Sequence, residues 1–190
     1  MSHIASTWNR IEAWLSANAP EAMASLRPGA TDESIFAAER EIGVCFPEVV
    51  RESYRRHDGQ LRDGPWLLYG REFLSLERLV EEWRVWKDLL DGGDFDGATS
   101  EPDEFIRDDW WSAAWIPLTY DGCGNHDCLD LAPTDKGLAG QIIDFWHDSA
   151  DRTRVATGFH EWLSAFAADM ESGEVVRSPD DGAVVRKDDV

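Results

Sequence analysis

Residues 115–148 read "WIPLTYDGCGNHDCLDLAPTDKGLAGQIIDFWHD", three short apolar runs separated by glycine, asparagine and aspartate. Apolar runs this short, bounded by turn residues, are strands: "WIPLTY" (115–120), "CLDLAP" (128–133) and "GQIIDFWHD" (140–148). Asp121-Gly122 and Gly124-Asn125 are turn-forming pairs between the first two runs. Beyond them, Cys128, Asp130 and Ala132 alternate with Leu129 and Leu131 at the strand period of two.

The segments before this block are helical. Trp8, Ile11 and Leu15 fall on one face, ahead of a break at Asn18 to Pro20. In "PGATDESIFAAEREIG", Thr31 or Asp32 caps a helix with Ile35, Ala38 and Ile42 at helical spacing, and Gly43 stops it. Pro47 suits the first turn of a third helix, "PEVVRESYRRHDG", with Val50 and Tyr54 on its apolar side and Gly59 at its end. "GPWLLYGREFL" (64–74) reads as one or two strands. Ser75 then opens the clearest helix, with Leu76, Leu79, Val80, Trp83 and Leu90 in register and Asp91-Gly92-Gly93 as its stop. Residues 92–109 are acidic and nearly free of periodicity, which predicts a mobile surface loop. A last helix runs from about Gly158 to Gly173 on Phe159, Trp162, Leu163, Phe166 and Met170. Trp8, Trp83, Trp146 and Trp162 are assigned to the core.

At 190 residues and 43% hydrophobic content, the chain supports one buried core. The opening residues carry no secretory pattern and no run of about eighteen apolar residues exists, so the expected compartment is the cytoplasm and no membrane partner is expected. Three cysteines, Cys45, Cys123 and Cys128, fit reduced thiols better than a disulfide framework. The 38 acidic residues outweigh 18 basic ones, a net charge of −20. Such a surface repels phosphate backbones and disfavours direct binding of nucleic acid. It either aids solubility or attracts a basic protein by steering.

The glycine-rich turn is a poor metal site. Cys123, His126 and Cys128 supply three zinc-type ligands without a fourth. A calcium loop on Asp121, Asn125 and Asp127 has Cys123 in a liganding slot, and the twelfth position counted from Asp121 is Ala132 rather than glutamate. The pairs His57-Asp58 and His147-Asp148 sit at element ends, where turn chemistry explains them. At His160, Ser164 stands where a zinc-protease helix needs its second histidine. No nucleophile elbow or phosphate loop is present, and no catalytic residue, cofactor or metal is expected.

Taken in order, "LRPGATDESIFAAEREIGVCFPEVVRESYRRHDGQ", "AWIPLTYDGCGNHDCLDLAPTDKGLAGQIIDFWHD" and "GFHEWLSAFAADMESG" resemble the SUKH superfamily of Smi/Knr type, from about Trp8 to Gly173. The resemblance implies an α+β single domain with helices packed on a mixed, mainly antiparallel sheet, spanning residues 1–173. Residues 174–190, in which "EVVR" and "AVVR" flank "SPDDG", suit either a C-terminal hairpin or a flexible acidic tail. It further implies a non-catalytic binding protein. The first expectation is an immunity protein that neutralises a cognate, basic bacterial toxin such as a nuclease. The alternative is a regulatory scaffold like the fungal cell-wall regulators. Asp121, Gly122, Gly124, Asn125, Asp130, Gly140 and Gln141 match the family block and are read as setting turns and strand starts. The partner surface rests on local chemistry alone: Glu101, Asp103, Glu104, Asp108 and Asp109 place carboxylates beside the paired aromatics Trp110 and Trp111.

Overall fold

The computed structural model describes residues 3–190. Helices α1 (His3–Asn18), α2 (Pro20–Ser25), α3 (Asp32–Ile42) and α4 (Glu48–Arg56) precede strand β1 (Glu72–Phe73) and helix α5 (Leu76–Gly92). Strands β2 (Glu101–Pro102), β3 (Trp115–Pro117), β4 (Thr119–Tyr120), β5 (His126–Asp130), β6 (Gln141–Phe145) and β7 (Asp151–Ala156) follow. Helix α6 (Phe159–Ser172) and strands β8 (Val175–Arg177) and β9 (Val184–Arg186) close the chain.

The main sheet has the order β2-β7-β6-β5-β3; only β2 runs parallel to its neighbour, so the sheet is mixed and mainly antiparallel. The expected "WIPLTY" strand divides. Trp115–Pro117 pairs with β5, while Thr119–Tyr120 turns to β1 in a separate two-stranded ladder. Helices cover both faces because the strands are apolar on both. One face presents His126 and Phe145 to Trp86 of α5, whose ring meets Phe145 edge-on at 4.7 Å. The other carries Ile116, Leu129 and Ile142, neighbours in register, and α6 packs against β6 and β7 from the remaining side of the molecule's core.

Local signals explain the helix ends. Thr31 accepts the Ser34 amide at α3, and Ser75 accepts the Arg78 amide at α5, each satisfying an orphan donor of the first turn. Gly43, Gly93 and Gly173 close α3, α5 and α6 in the left-handed conformation. Gly59 has φ +67°, and a Cβ there would lie 2.3 Å from the Ser75 amide nitrogen, so the chain crossing beneath α5 admits no side chain.

Four features depart from the sequence reading. Strand β7, "DRTRVA", and the short helix α2 lack the apolar pattern by which elements are recognised. Residues 92–109, expected as a mobile surface loop, hold edge strand β2 and the bridge Thr99 to Asp109. Trp146 is 44% exposed, because β6 ends at Phe145 and the core position belongs to that ring. Most of residues 64–74 is a looping segment with only β1 as strand.

Strands β8 and β9 pair antiparallel, with Val176 opposite Val185. Val184 exchanges backbone hydrogen bonds with Trp66 and Gly70, which fastens the hairpin to the 66–70 segment.

Candidate protein-interaction surface

The Asp121–Asn125 turn is built by its own side chains. Asp121 Oδ1 accepts the amides of Cys123 and Asn125, and Oδ2 accepts the Asn125 side chain. Burial pushes the Asp121 carboxyl up, but these bonds, from Asn125 and Cys123, outweigh it and hold the carboxyl below its ordinary value. Asn125 Oδ1 in turn accepts the His147 amide. Gly122 and Gly124, at φ +85° and +103°, take the left-handed corners.

Two of the three zinc-type side chains near the turn, His126 and Cys128, are buried in the sheet. His126 is fully buried, with Nδ1 2.6 Å from the Thr119 carbonyl and Nε2 accepting from the Trp86 indole. Burial lowers its pKa to about 4, so the ring is neutral. Cys128 is buried and its thiol pKa is pushed up by that burial, whereas Cys123 is exposed. Among the described residues no group of three or more His, Cys, Asp or Glu side chains is placed to hold a metal ion. His57-Asp58 is likewise structural: His57 sits between Glu12 and the Arg27 carbonyl, and Asp58 accepts the Leu76 amide.

The rest of the family block fastens the acidic segment to the sheet. Gln141 donates to Asp130 and to the Phe105 carbonyl, and Thr134 donates its amide to that same carbonyl and its hydroxyl to Glu104. Gly140, at φ +93°, donates to the Asp130 carbonyl. The Asp103 carboxylate accepts the Arg154 amide at the sheet edge, and the Arg154 guanidinium lies 3.4 Å from the Phe105 ring centre. Glu101, Asp103, Glu104, Asp108 and Asp109 are all exposed on this fastened segment. Trp110 is half-buried beneath Arg152. Trp111, expected beside it as a surface anchor, is 3% exposed and packs with Trp83 and Trp86, so of the pair only Trp110 remains at the surface.

Two charged clusters escaped the sequence reading. On the α5 face, Arg152 is 1% exposed, with its guanidinium 4.6 Å from the Phe145 ring centre and 5.3 and 5.9 Å from those of Trp110 and Trp115. Its donors meet the carbonyls of Trp110, Trp146, Ser149 and Asp151. Burial lowers its pKa to about 10. On the α6 face, Asp127 and Asp144 stand directly opposite each other across β5 and β6. Both accept from Arg71 Nη1, at 3.1 and 3.0 Å. Burial raises the Asp127 pKa to about 6, although Arg71 opposes the shift. The only sequence signal for either cluster is strand parity, and it needs the register.

Helices first, a mixed sheet, and a polar Asp-Gly-x-Gly-Asn turn leading to Asp130 and Gln141 define an α+β domain of SUKH type. The SMI1 / KNR4 family (SUKH-1) model matches residues 29–165, and the chain belongs to that family. It is 31% identical over 195 residues to the "Cell wall biosynthesis/cell cycle regulator smi1" of Schizosaccharomyces pombe, covering 95% of this chain and 39% of that protein. It is 29% identical over 202 residues to the "Cell wall assembly regulator SMI1" of Saccharomyces cerevisiae (87% and 40%). It is 30% identical over 206 residues to the "Glucan synthesis regulatory protein" of Neurospora crassa (90% and 39%). The chain thus spans about two fifths of the length of these relatives. All three are named as regulators, which favours the regulatory alternative over the toxin-immunity expectation. No helix among the described residues is long and apolar enough to cross a membrane.

Proposed function

We propose that this chain is a non-catalytic, protein-binding domain of a cytoplasmic regulator, with residues 1–173 forming the SUKH-type unit and 174–190 appended to it. The observation that carries the reading is family membership together with relatives named as regulators of cell-wall and glucan synthesis. The proposed partner surface is the fastened segment carrying Glu101, Asp103, Glu104, Asp108 and Asp109, with Trp110 at its border. Gln141 and Thr134 hold the backbone of this segment at Glu104 and Phe105, and the Arg154 amide holds the Asp103 carboxylate, so its main chain is in place before a partner arrives, which reduces the entropy cost of association. The net charge of −20 favours a partner whose contact surface is basic.

A chimera tests this. The matching segment of the fission-yeast relative is replaced by this chain and resistance to wall-digesting enzyme is scored. Rescue by the native chain and loss of rescue with Asp108→Lys/Asp109→Lys is the expected pair of outcomes. A folded native chimera that fails to rescue would overturn the regulatory reading, and equal rescue by the double variant would overturn the surface.

A further inference from the structure

Asp127 and Asp144 are directly opposed across an antiparallel pair, an arrangement that disfavours the sheet unless cations neutralise it. One guanidinium nitrogen of Arg71 serves both carboxylates, and Asp144 keeps 34% of its side chain exposed. Beside them lies a cavity of about 380 Å³, bordered by the rings of Tyr69 and Trp162 and by Arg186. Arg186 comes from β9: its guanidinium lies 4.2 Å from the Tyr69 ring centre, and Nη1 is 3.8 Å from Asp169. Tyr69 donates its hydroxyl to that same Asp169. Three carboxylates, Asp127, Asp144 and Asp169, therefore surround two arginines, and both arginines enter by guanidinium contacts with carboxylate or aromatic ring.

We propose that this cavity receives an arginine side chain from a protein partner, between the Asp144 carboxylate and the Tyr69 and Trp162 rings, and that Arg186 of the C-terminal hairpin competes with it. A planar guanidinium suits the site better than an ammonium, because it stacks on a ring while its edge donates to a carboxylate. The cavity is partly open to solvent, so an entering guanidinium keeps some of its water, and three carboxylates against two arginines leave negative charge that favours a further cation. The hairpin supplies the competitor by construction: Gly70 and Trp66 hold Val184, two residues from Arg186, so the arginine rests at the cavity mouth. Displacing Arg186 leaves it solvated, since 55% of its side chain is already exposed.

The inference rests on the protein-binding reading only for the source of the arginine; the site itself is tested with a small probe. The isotope-labelled full chain is titrated by NMR with N-acetyl-arginine methylamide, its lysine counterpart and its uncharged citrulline counterpart at constant ionic strength. The expected result is saturable shifts at Asp144, Thr153, Val155 and the Trp162 indole with the arginine probe, at a Kd on the order of 10 mM or tighter. Citrulline should not saturate. Asp144→Asn should weaken binding at least about fivefold and Arg186→Ala should tighten it about threefold, shifts of roughly 1 and 0.6 kcal/mol. Opposite directions in two variants cannot arise from a general loss of fold. Absence of saturation, equal binding of citrulline, or indifference to Asp144→Asn would overturn the site. Equal binding of the lysine probe would overturn the assignment to guanidinium, and an unchanged Kd in Arg186→Ala would overturn the competition. Arginine binding that survives a failed chimera refutes the regulatory reading alone, and the converse refutes this site alone.

Discussion

Arg152 and Arg71 sit on opposite faces of one sheet and are solvated by opposite means. Among the described residues no carboxylate lies within ion-pair distance of Arg152; ring faces and backbone carbonyls surround it, and desolvation lowers its pKa. Arg71 is partly exposed, and although burial lowers its pKa, Asp127 and Asp144 more than offset that and raise it. The contrast separates two uses of a buried cation. A guanidinium whose two Nη atoms donate to carbonyls ties segments together, here the Trp110 end of the acidic segment and the 146–151 turn, although its buried Nε has no partner among the described residues. A guanidinium shared between two carboxylates leaves charge that a further cation can answer. The first belongs to the fold, the second to a site.

The largest effect should follow from removing the fold's arginine. Arg152→Ala leaves the carbonyls of Trp110 and Ser149 without their donors and opens space beneath Phe145, so a loss of about 4 kcal/mol is expected by urea unfolding. Arg152→Lys should recover only part of this, because an ammonium makes fewer directed bonds and stacks less well. A loss below about 1 kcal/mol in Arg152→Ala would erase the distinction between the two arginines.

The same contrast marks what the sequence discloses. Helix α5 was legible because Ser75 caps it, Gly93 stops it and its apolar residues keep helical spacing; α6, with Phe159 to Met170 on one face, was equally plain. Strand β7 was not, since "DRTRVA" reads as a polar loop unless Arg152 is known to turn inward onto three rings. The acidic segment read as mobile for a related reason: Gln141, Thr134 and Arg154 hold it from positions about 30 to 50 residues away, beyond any local pattern. Asp127 and Asp144 were two acids among 38 until β5 and β6 set them in register, and Arg71 reaches them from the 64–74 segment, whose apolar pattern says nothing of what its one arginine meets.

An intermediate effect is expected on the other face. Arg71→Met leaves two opposed carboxylates unneutralised and should cost about 2 kcal/mol at pH 7, less than a fully buried pair because Asp144 is partly solvated. Without Arg71 the Asp127 carboxyl moves further above its ordinary value, so the folded state holds a proton that the unfolded chain releases. Stability of the variant should therefore recover as pH falls from 7 toward 5. A loss that is the same at both pH values would show that Arg71 acts by packing and would remove it from the charged site.

The smallest change should be Asp127→Asn at neutral pH, and its pH profile sharpens the comparison most. The folded pKa of about 6 lies above the unfolded carboxylate value of about 3.9. Between these values the folded state binds more protons, so Asp127 makes stability fall as pH rises from about 4 to about 6, the reverse of an ion-paired surface aspartate. Burial gives that slope its sign, with Asp144 adding to it and Arg71, Thr119 and Arg186 opposing it. Asn keeps the shape, accepts from Thr119 and does not titrate, so lost attraction to Arg71 is set against relief of the buried charge. The net change at pH 7 should lie within about 1 kcal/mol. The decisive quantity is the difference in unfolding free energy between the two proteins, followed by urea melts from pH 4 to 7. Native protein should lose ground to the variant as pH rises through about 6. A difference that is flat, or that moves the other way, would mean Asp127 is an ordinary ion-paired carboxylate, and the α6-face cluster would then be as structural as Arg152.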